Sequence, residues 1–191
     1  MPHQTTGVKV SMKKGFTLIE LLVVITIIGI LSSIGLNTFT SSQKKGRDTK
    51  RKGHLRQLTD ALEAYNNDFG EYPDDDDGKI VGCGDIDSKT TCIWGTSAFQ
   101  NDDTETVYMI LMPEDPTTGQ NYFYVATTVS GLNTQYQLYA RLENTLDIAV
   151  PKNPSDEPQV YPSTTCSVAD PTGCNYGVSS TNVTLPTPED E

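Results

Sequence analysis

FTLIELLVVITIIGILSSIGL, residues 16–36, decides how the rest of the chain is read. It is twenty-one residues long, with Glu20 as its one ionisable group. As a helix it would cover about 30 Å, the hydrocarbon thickness of a bilayer. Outside it the chain is polar. Apolar residues make up 36% of the 191 residues, and the formal net charge is −11. That composition excludes a multi-pass membrane protein, a collagen and a large two-domain enzyme. A net negative chain is a poor partner for duplex nucleic acid, so no specific nucleic acid is expected.

The charge is segregated. Residues 44–56, KKGRDTKRKGHLR, hold seven of the fourteen basic residues, whereas residues 57–191 hold four basic and twenty-three acidic ones. This pattern reads as a basic collar beside a membrane, followed by an acidic, water-facing domain. By the positive-inside rule alone, that collar would hold the domain in the cytoplasm. The cysteines argue otherwise. Cys83 and Cys92, then Cys166 and Cys174, form two local pairs around short polar loops. CxxC-type zinc spacing is absent, so two disulfides and an oxidising compartment are expected; four buried free thiols are the alternative.

A secretory signal peptide is the plain alternative for residues 16–36, with Lys13 and Lys14 as its basic region. The run is long for that, and no A-x-A cleavage site follows. Glu20 is the sharper clue, because a carboxylate in an apolar helix is costly and usually functional. The partner it calls for is a cation within the membrane. The amine of a new N-terminus at Phe16 would serve.

KKGFTLIELLVVITIIGIL, residues 13–31, resembles the leader and N-terminal helix of type IV pilins and type II secretion pseudopilins. The resemblance implies cleavage by a prepilin peptidase between Gly15 and Phe16, and methylation of the Phe16 amine. It also implies that Glu20 pairs with the N-terminal amine of a neighbouring subunit. Asn37 stands where many members of this family carry proline. Met12 is an alternative start for a shorter leader.

Leu55, Leu58, Leu62, Tyr65 and Phe69 recur at helical spacing and predict an amphipathic helix, with Arg56, Asp60, Glu63 and Asn67 on its polar face. Gly70 and Pro73 end it. AYNNDFGEYP (64–73) and PEDPTTGQNYFYVA (113–126) resemble segments of the major pseudopilin of type II secretion. Residues 121–127 and 134–142 predict two strands joined by TVSGLN, with a third near 175–178. Five prolines and the second cysteine pair make 151–174 a stapled surface loop. The expected fold is α+β: a long N-terminal helix packed on a small antiparallel sheet. Its parts are a leader (1–15), a transmembrane or filament-core helix (16–36), an amphipathic helix (37–69), a globular domain (70–180) and a disordered tail (181–191).

Enzymatic chemistry finds no support. With His3 and His54 as the two histidines, a Ser-His-Asp triad lacks a candidate. No glycine-rich phosphate loop follows a strand, and no cofactor is expected. Asp74, Asp75, Asp76 and Asp77 form an acidic run that is a weak calcium candidate; a solvated loop is the preferred reading. The function expected is that of a filament subunit, foremost a type II secretion pseudopilin, with a type IV pilus subunit for adhesion, motility or DNA uptake as runner-up. The expected partners are copies of itself, the prepilin peptidase, the inner-membrane assembly machinery and the lipid bilayer. The expected location is the inner membrane, single-pass with the domain outside, then a periplasmic or extracellular filament. Two rivals belong to other classes: a membrane-anchored polysaccharide-binding module, which would need exposed aromatics, and a secreted enzyme cleaved after about Ser33.

Overall fold

The computed structural model describes residues 15–85, 87–167 and 173–190; side-chain surroundings are described for these except 33–38 and 190. The leader expected at 1–15 lies outside the described residues except for Gly15. The chain divides into two compact units, Met1–Ser41 and Ser42–Glu191. Residues 42–69 of the expected amphipathic helix fall within the second of these units.

One helix, α1 (Leu18–Phe69), supplies the described helix of both units. In the first unit many of its described apolar side chains are exposed, with Leu18 at 90% and Val23 at 47%. A helix that is apolar on every face is made for a non-aqueous surrounding. Among the described residues, no helix is long and apolar enough to cross a membrane. Part of the apolar run, residues 33–38, falls outside the described side chains.

In the second unit α1 buries a stripe formed by Leu55, Leu58, Ala61, Leu62 and Tyr65, with Phe69 half-buried at its end. Gly70 closes the helix at φ 75°, and its N–H donates to the Asn66 carbonyl at 2.8 Å. The rest is built from short antiparallel strands. β1 (Asp74–Asp76), β2 (Lys79–Cys83) and β3 (Thr90–Thr91) form one sheet. β4 (Phe99–Asn101) pairs with β5 (Thr106–Met109). β6 (Phe123–Val129), β7 (Leu132–Ala140) and β9 (Tyr176–Ser179) form the sheet expected from sequence, in the order β6-β7-β9. Ser130 and Gly131, both at positive φ, make the two-residue turn that fixes its hairpin register.

Two regions depart from expectation. The acidic run is no loop: Asp74, Asp75 and Asp76 are strand β1, and Asp77-Gly78 is the turn into β2, with φ 46° and 77°. Asp-Gly suits a tight hairpin turn because both positions need positive φ. The tail also holds structure, since β10 (Glu189–Asp190) pairs with β8 (Gln159–Val160). Gln137 donates to the Thr184 carbonyl at 3.0 Å, and Leu185 packs beside Tyr139 and Tyr161, so this tail has partners despite its polar composition.

Tyrosine dominates the core. Tyr65, Tyr72, Tyr122, Tyr124, Tyr136, Tyr139 and Tyr161 are all buried. Several bury the ring and keep a partner for the hydroxyl. Tyr72 donates to Glu63, Tyr108 to Asp68 and Tyr124 to the Pro73 carbonyl, while Tyr122 shares a hydrogen bond with His54. Rings supply the apolar area, and the Tyr108 hydroxyl ties β5 to α1. Cys83 is bonded to Cys92 and Cys166 to Cys174, which staples the two loops that carry few apolar residues.

Candidate assembly segment and the ionic clasp behind it

The helix start is built by Thr17. Residues 15–17 are not helical, and α1 begins at Leu18, so the Gly15–Phe16 bond lies ahead of the first helical turn. A side chain placed at Gly15 would meet nothing in the described chain within 4 Å. Folding of this segment therefore does not demand glycine there. Phe16 is 90% exposed.

Thr17 and Glu20 form a capping box. The Glu20 carboxylate accepts from the Thr17 N–H at 2.8 Å and the Thr17 hydroxyl at 2.7 Å, and the Glu20 N–H donates back to Thr17 Oγ1 at 3.3 Å. Three residues separate the two groups, the spacing at which each can satisfy an orphan donor of the other. The nearest partner of Glu20 is thus a local hydroxyl and amide, and T-x-x-E before an apolar run is the sequence signal for it. The carboxylate has room for further donors, since an ionised acid offers about four lone-pair sites.

The second unit holds its strongest polar structure at the collar. Arg51 is fully buried. Its Nε and one terminal nitrogen grip the two carboxylate oxygens of Asp115, at 2.7 and 2.8 Å. The other terminal nitrogen reaches Asp48 at 2.8 Å and Glu143 at 2.9 Å. Thr117 and Gln120 accept from the terminal nitrogen that holds Asp115. Asp48 in turn accepts the N–H groups of Glu143 and Asn144, each at 2.9 Å. Arg47 pairs with Glu143, and Lys52 with Asp147 at 2.7 Å.

Burial alone would lower the Arg51 pKa, but hydrogen bonds to Asp115, Glu143 and Asp48 outweigh it and raise it above the ordinary arginine value. The hydrogen bond from Arg47, helped by Arg51 and opposed by burial, pulls Glu143 down to about 2. Lys52 lowers Asp147 in the same way. Burial pushes the His54 imidazole down. The collar is thus partly a clasp: Arg47, Arg51 and Lys52 are spent within the fold, leaving Lys44, Lys45, Lys50 and Arg56 of its seven cations. The weight that the positive-inside rule gave to this segment falls accordingly.

Asp74 accepts from Asn133, and Asp75 from the Ala126 N–H at 2.9 Å. Among the described residues, no group of three or more His, Cys, Asp or Glu is gathered to hold a metal ion.

The profile of the prokaryotic N-terminal methylation motif matches residues 10–36 and so covers Gly15, Phe16, Thr17 and Glu20. This defines the class: the chain carries that motif at its N-terminal end. Over about a third of its length the chain is similar to a type IV pilin and to core protein G of type II secretion systems. The type IV major pilin protein PilA of Myxococcus xanthus is 36% identical over 61 residues, 32% of this chain and 28% of that protein. Type II secretion system core protein G of Pseudomonas aeruginosa is 35% identical over 66 residues, 35% of this chain and 46% of that protein. The type IV wide pilus major component PilA4 of Thermus thermophilus is 39% identical over 59 residues, 31% of this chain and 45% of that protein. The chain therefore matches less than half the length of these relatives. No solved structure matches the chain significantly.

Proposed function

We propose that this chain is a structural subunit of a pilin-like filament, and foremost a pseudopilin of a type II secretion system. A prepilin peptidase cuts between Gly15 and Phe16, and the new Phe16 amine is methylated. The chain then waits in the inner membrane through residues 16–36, with its acidic, disulfide-bonded unit outside. Filament formation gathers the apolar helices of many copies into a core, moved by the membrane assembly machinery. The reading gives the chain no catalytic role.

The observation that carries this reading is the apolar half of α1. Many of its described apolar side chains are exposed within one chain, the methylation motif spans residues 10–36, and the Gly15–Phe16 bond precedes the first helical turn. Such a surface needs lipid or other copies of itself. Glu20 supports assembly in particular. A carboxylate that reaches hydrocarbon costs ~2.5–3.5 kcal/mol at helix centre on insertion scales. Thr17 offsets part of that, and the Phe16 amine of a neighbouring copy would supply the missing cation. The pilin relatives keep a type IV pilus subunit as the second reading. A polysaccharide-gripping surface draws no support from the aromatics, because seven of the nine tyrosines are in the core.

Wild type and Glu20→Ala, expressed at equal levels, test the reading together. The ratio of sheared filament to membrane-bound subunit should fall at least ~10-fold in the variant, the factor that about 1.4 kcal/mol of lost pairing gives. The intact mass of both chains should begin at a methylated Phe16. An unchanged ratio, or a chain that retains Lys13 and Lys14, overturns it.

A further inference from the structure

Where the β1–β2 turn meets the start of β6, the second unit holds a cavity of about 360 Å³. That lies within the range of about 300–1,000 Å³ typical of small-molecule sites. Trp94, Tyr122 and Phe123 line it with rings, and Asp77, Lys79 and Asn121 line it with polar groups. Its walls are fixed. The Tyr124 N–H donates to the Gly78 carbonyl at 2.8 Å, and the Asn121 N–H to the Cys166 carbonyl at 2.9 Å. Gly78 lies so close to Phe123 that a Cβ there would stand 2.3 Å from its ring. Trp94 sits two residues after the bonded Cys92 and meets Tyr122 edge-on, with ring centroids 5.7 Å apart. The Tyr122 hydroxyl is already taken by His54 at 2.7 Å. A site ordered before binding loses little freedom when it binds.

The polar groups of this cavity are unmatched. Asp74, Asp75 and Asp76 accept from Asn133, the Ala126 N–H and Thr91. The Asp77 carboxylate, last of that run, has no donor among the described residues. The side chains of Lys79 and Asn121 have no partner there either. Free groups of both kinds beside aromatic rings define the ligand. A carboxylate only accepts and an ammonium only donates, whereas a hydroxyl does both. Neighbouring hydroxyls on one ring can therefore serve Asp77 and Lys79 at once. The C–H face of such a ring suits the negative face of an aromatic one. An anion would meet a like charge at Asp77, and a cation would meet one at Lys79.

We propose that this cavity binds one pyranose ring of a carbohydrate. Trp94 and Phe123 take its C–H face, Asp77 accepts from its hydroxyls, and Lys79 and Asn121 donate to its oxygens. The site takes a single sugar residue, such as a chain end. It does not need the row of exposed tyrosines that gripping a long polysaccharide would require. All of its residues lie in the second unit, so binding does not depend on the filament reading. A filament of such subunits would repeat the site along its length. Weak binding at each copy would then add up to firm attachment on a surface bearing many glycans.

The test uses the full chain in a polyoxyethylene detergent, which brings in neither sugar nor choline. Trp94 is the chain's one tryptophan, so its emission reports on the cavity directly. The methyl glycosides of glucose, galactose, mannose and N-acetylglucosamine are titrated in turn. At least one should shift the emission saturably, with a Kd of about 1 mM, as few contacts give. Asp77→Asn removes the charge but keeps a residue that tolerates the positive φ of this turn. It should weaken the binding at least ~10-fold. Lys79→Gln should weaken it several-fold, while Asp60→Asn, exposed on α1, leaves it unchanged. The urea midpoint checks that each variant is folded; if Asp77→Asn lowers it, Lys79→Gln decides. No saturable shift with any of the four sugars, at about tenfold that Kd, overturns the site. A shift that Asp77→Asn and Lys79→Gln both leave unchanged overturns it too. Phosphocholine is titrated alongside; if it binds and none of the sugars does, the carbohydrate class is overturned and the cavity belongs to a zwitterion.

Discussion

The two halves of α1 obey opposite rules. The first half is almost wholly apolar, yet its side chains are exposed, with Leu18 at 90% and Ile30 at 63%. The second half carries more charge, yet it buries Asp48 and Arg51 as completely as Leu55 and Leu58. Composition says what a surface can tolerate; it does not say whether one chain supplies the partner. The second half finds its partners in its own globular unit. The first half leaves many of its described apolar side chains exposed, and that is what makes it the segment through which copies would meet.

The sharpest way to break this comparison is to remove Arg51. Three carboxylates converge on it, from Asp48, Asp115 and Glu143. Breaking a buried charge group by deleting one partner typically costs ~3–5 kcal/mol, because the remaining charges stay buried and unpaired. Arg51→Ala should lower the stability of the second unit by that amount, seen as a lower midpoint in urea titration of the detergent-solubilised full chain through its tyrosine signal. Leu22→Ala, in the first half, should leave the midpoint where it was. A shift from Leu22→Ala equal to that from Arg51→Ala would erase the distinction.

The disulfides come next. Each closes a short loop, with sequence separations of 9 and 8 residues. Loops of this length contribute roughly 2–3 kcal/mol by restricting the unfolded chain. Cys166→Ser/Cys174→Ser should cost about that much in the same titration, with no change in how the chain partitions into membranes. Reduction of the wild type should move the midpoint in the same direction.

The comparison also explains which features were legible in the sequence. The stripe from Leu55 to Phe69 was readable because apolar residues at helical spacing mark a buried face. The same stripe continues backward through Arg51 and Asp48 at spacings of four and three, but in charged residues that a hydrophobic search passes over. The β6–β7 hairpin was visible from its aromatic and β-branched runs, while β1 was hidden because four consecutive aspartates resemble a solvated loop. Their turn chemistry, Asp77-Gly78, was the better guide. The collar was read from charge alone as a membrane-side feature. Three of its seven cations have partners far along the chain, such as Asp115, Glu143 and Asp147, and no local pattern announces those pairings. The T-x-x-E box is legible in residues 17–20, because its two partners are three residues apart.

Acid should loosen the clasp gradually. The folded Glu143 carboxyl lies at about 2, below the ordinary carboxylate range, and Asp147 is lowered too. A carboxylate lowered in the folded state stabilises the fold above its unfolded pKa. That stabilisation is lost as pH falls from about 5 toward 2. The urea midpoint should drop across that window, and Arg47→Gln should flatten the drop, since Arg47 is the foremost cause of the Glu143 shift. An identical pH profile in Arg47→Gln would remove the pair from the account.

Thr17→Val should have the smallest effect and discriminates most finely. Valine keeps the shape of threonine but removes the Oγ1 that donates to Glu20 and accepts the Glu20 N–H. The Thr17 backbone N–H can still donate to the carboxylate, so the cap is weakened rather than abolished. Losing an N-cap side chain costs ~1 kcal/mol of local helix stability. Amide exchange should therefore quicken at the first turn of α1, around residues 18–21, while the urea midpoint of the second unit stays unchanged. The consequence for assembly separates two roles for Glu20. If its carboxylate serves chiefly to pair with the Phe16 amine of a neighbouring copy, Thr17→Val leaves that acceptor in place, and filament yield falls far less than in Glu20→Ala. If the carboxylate serves chiefly to cap its own helix, the two variants lose filament to the same extent. Equal losses would move Glu20 from the contact between subunits to the start of a single helix.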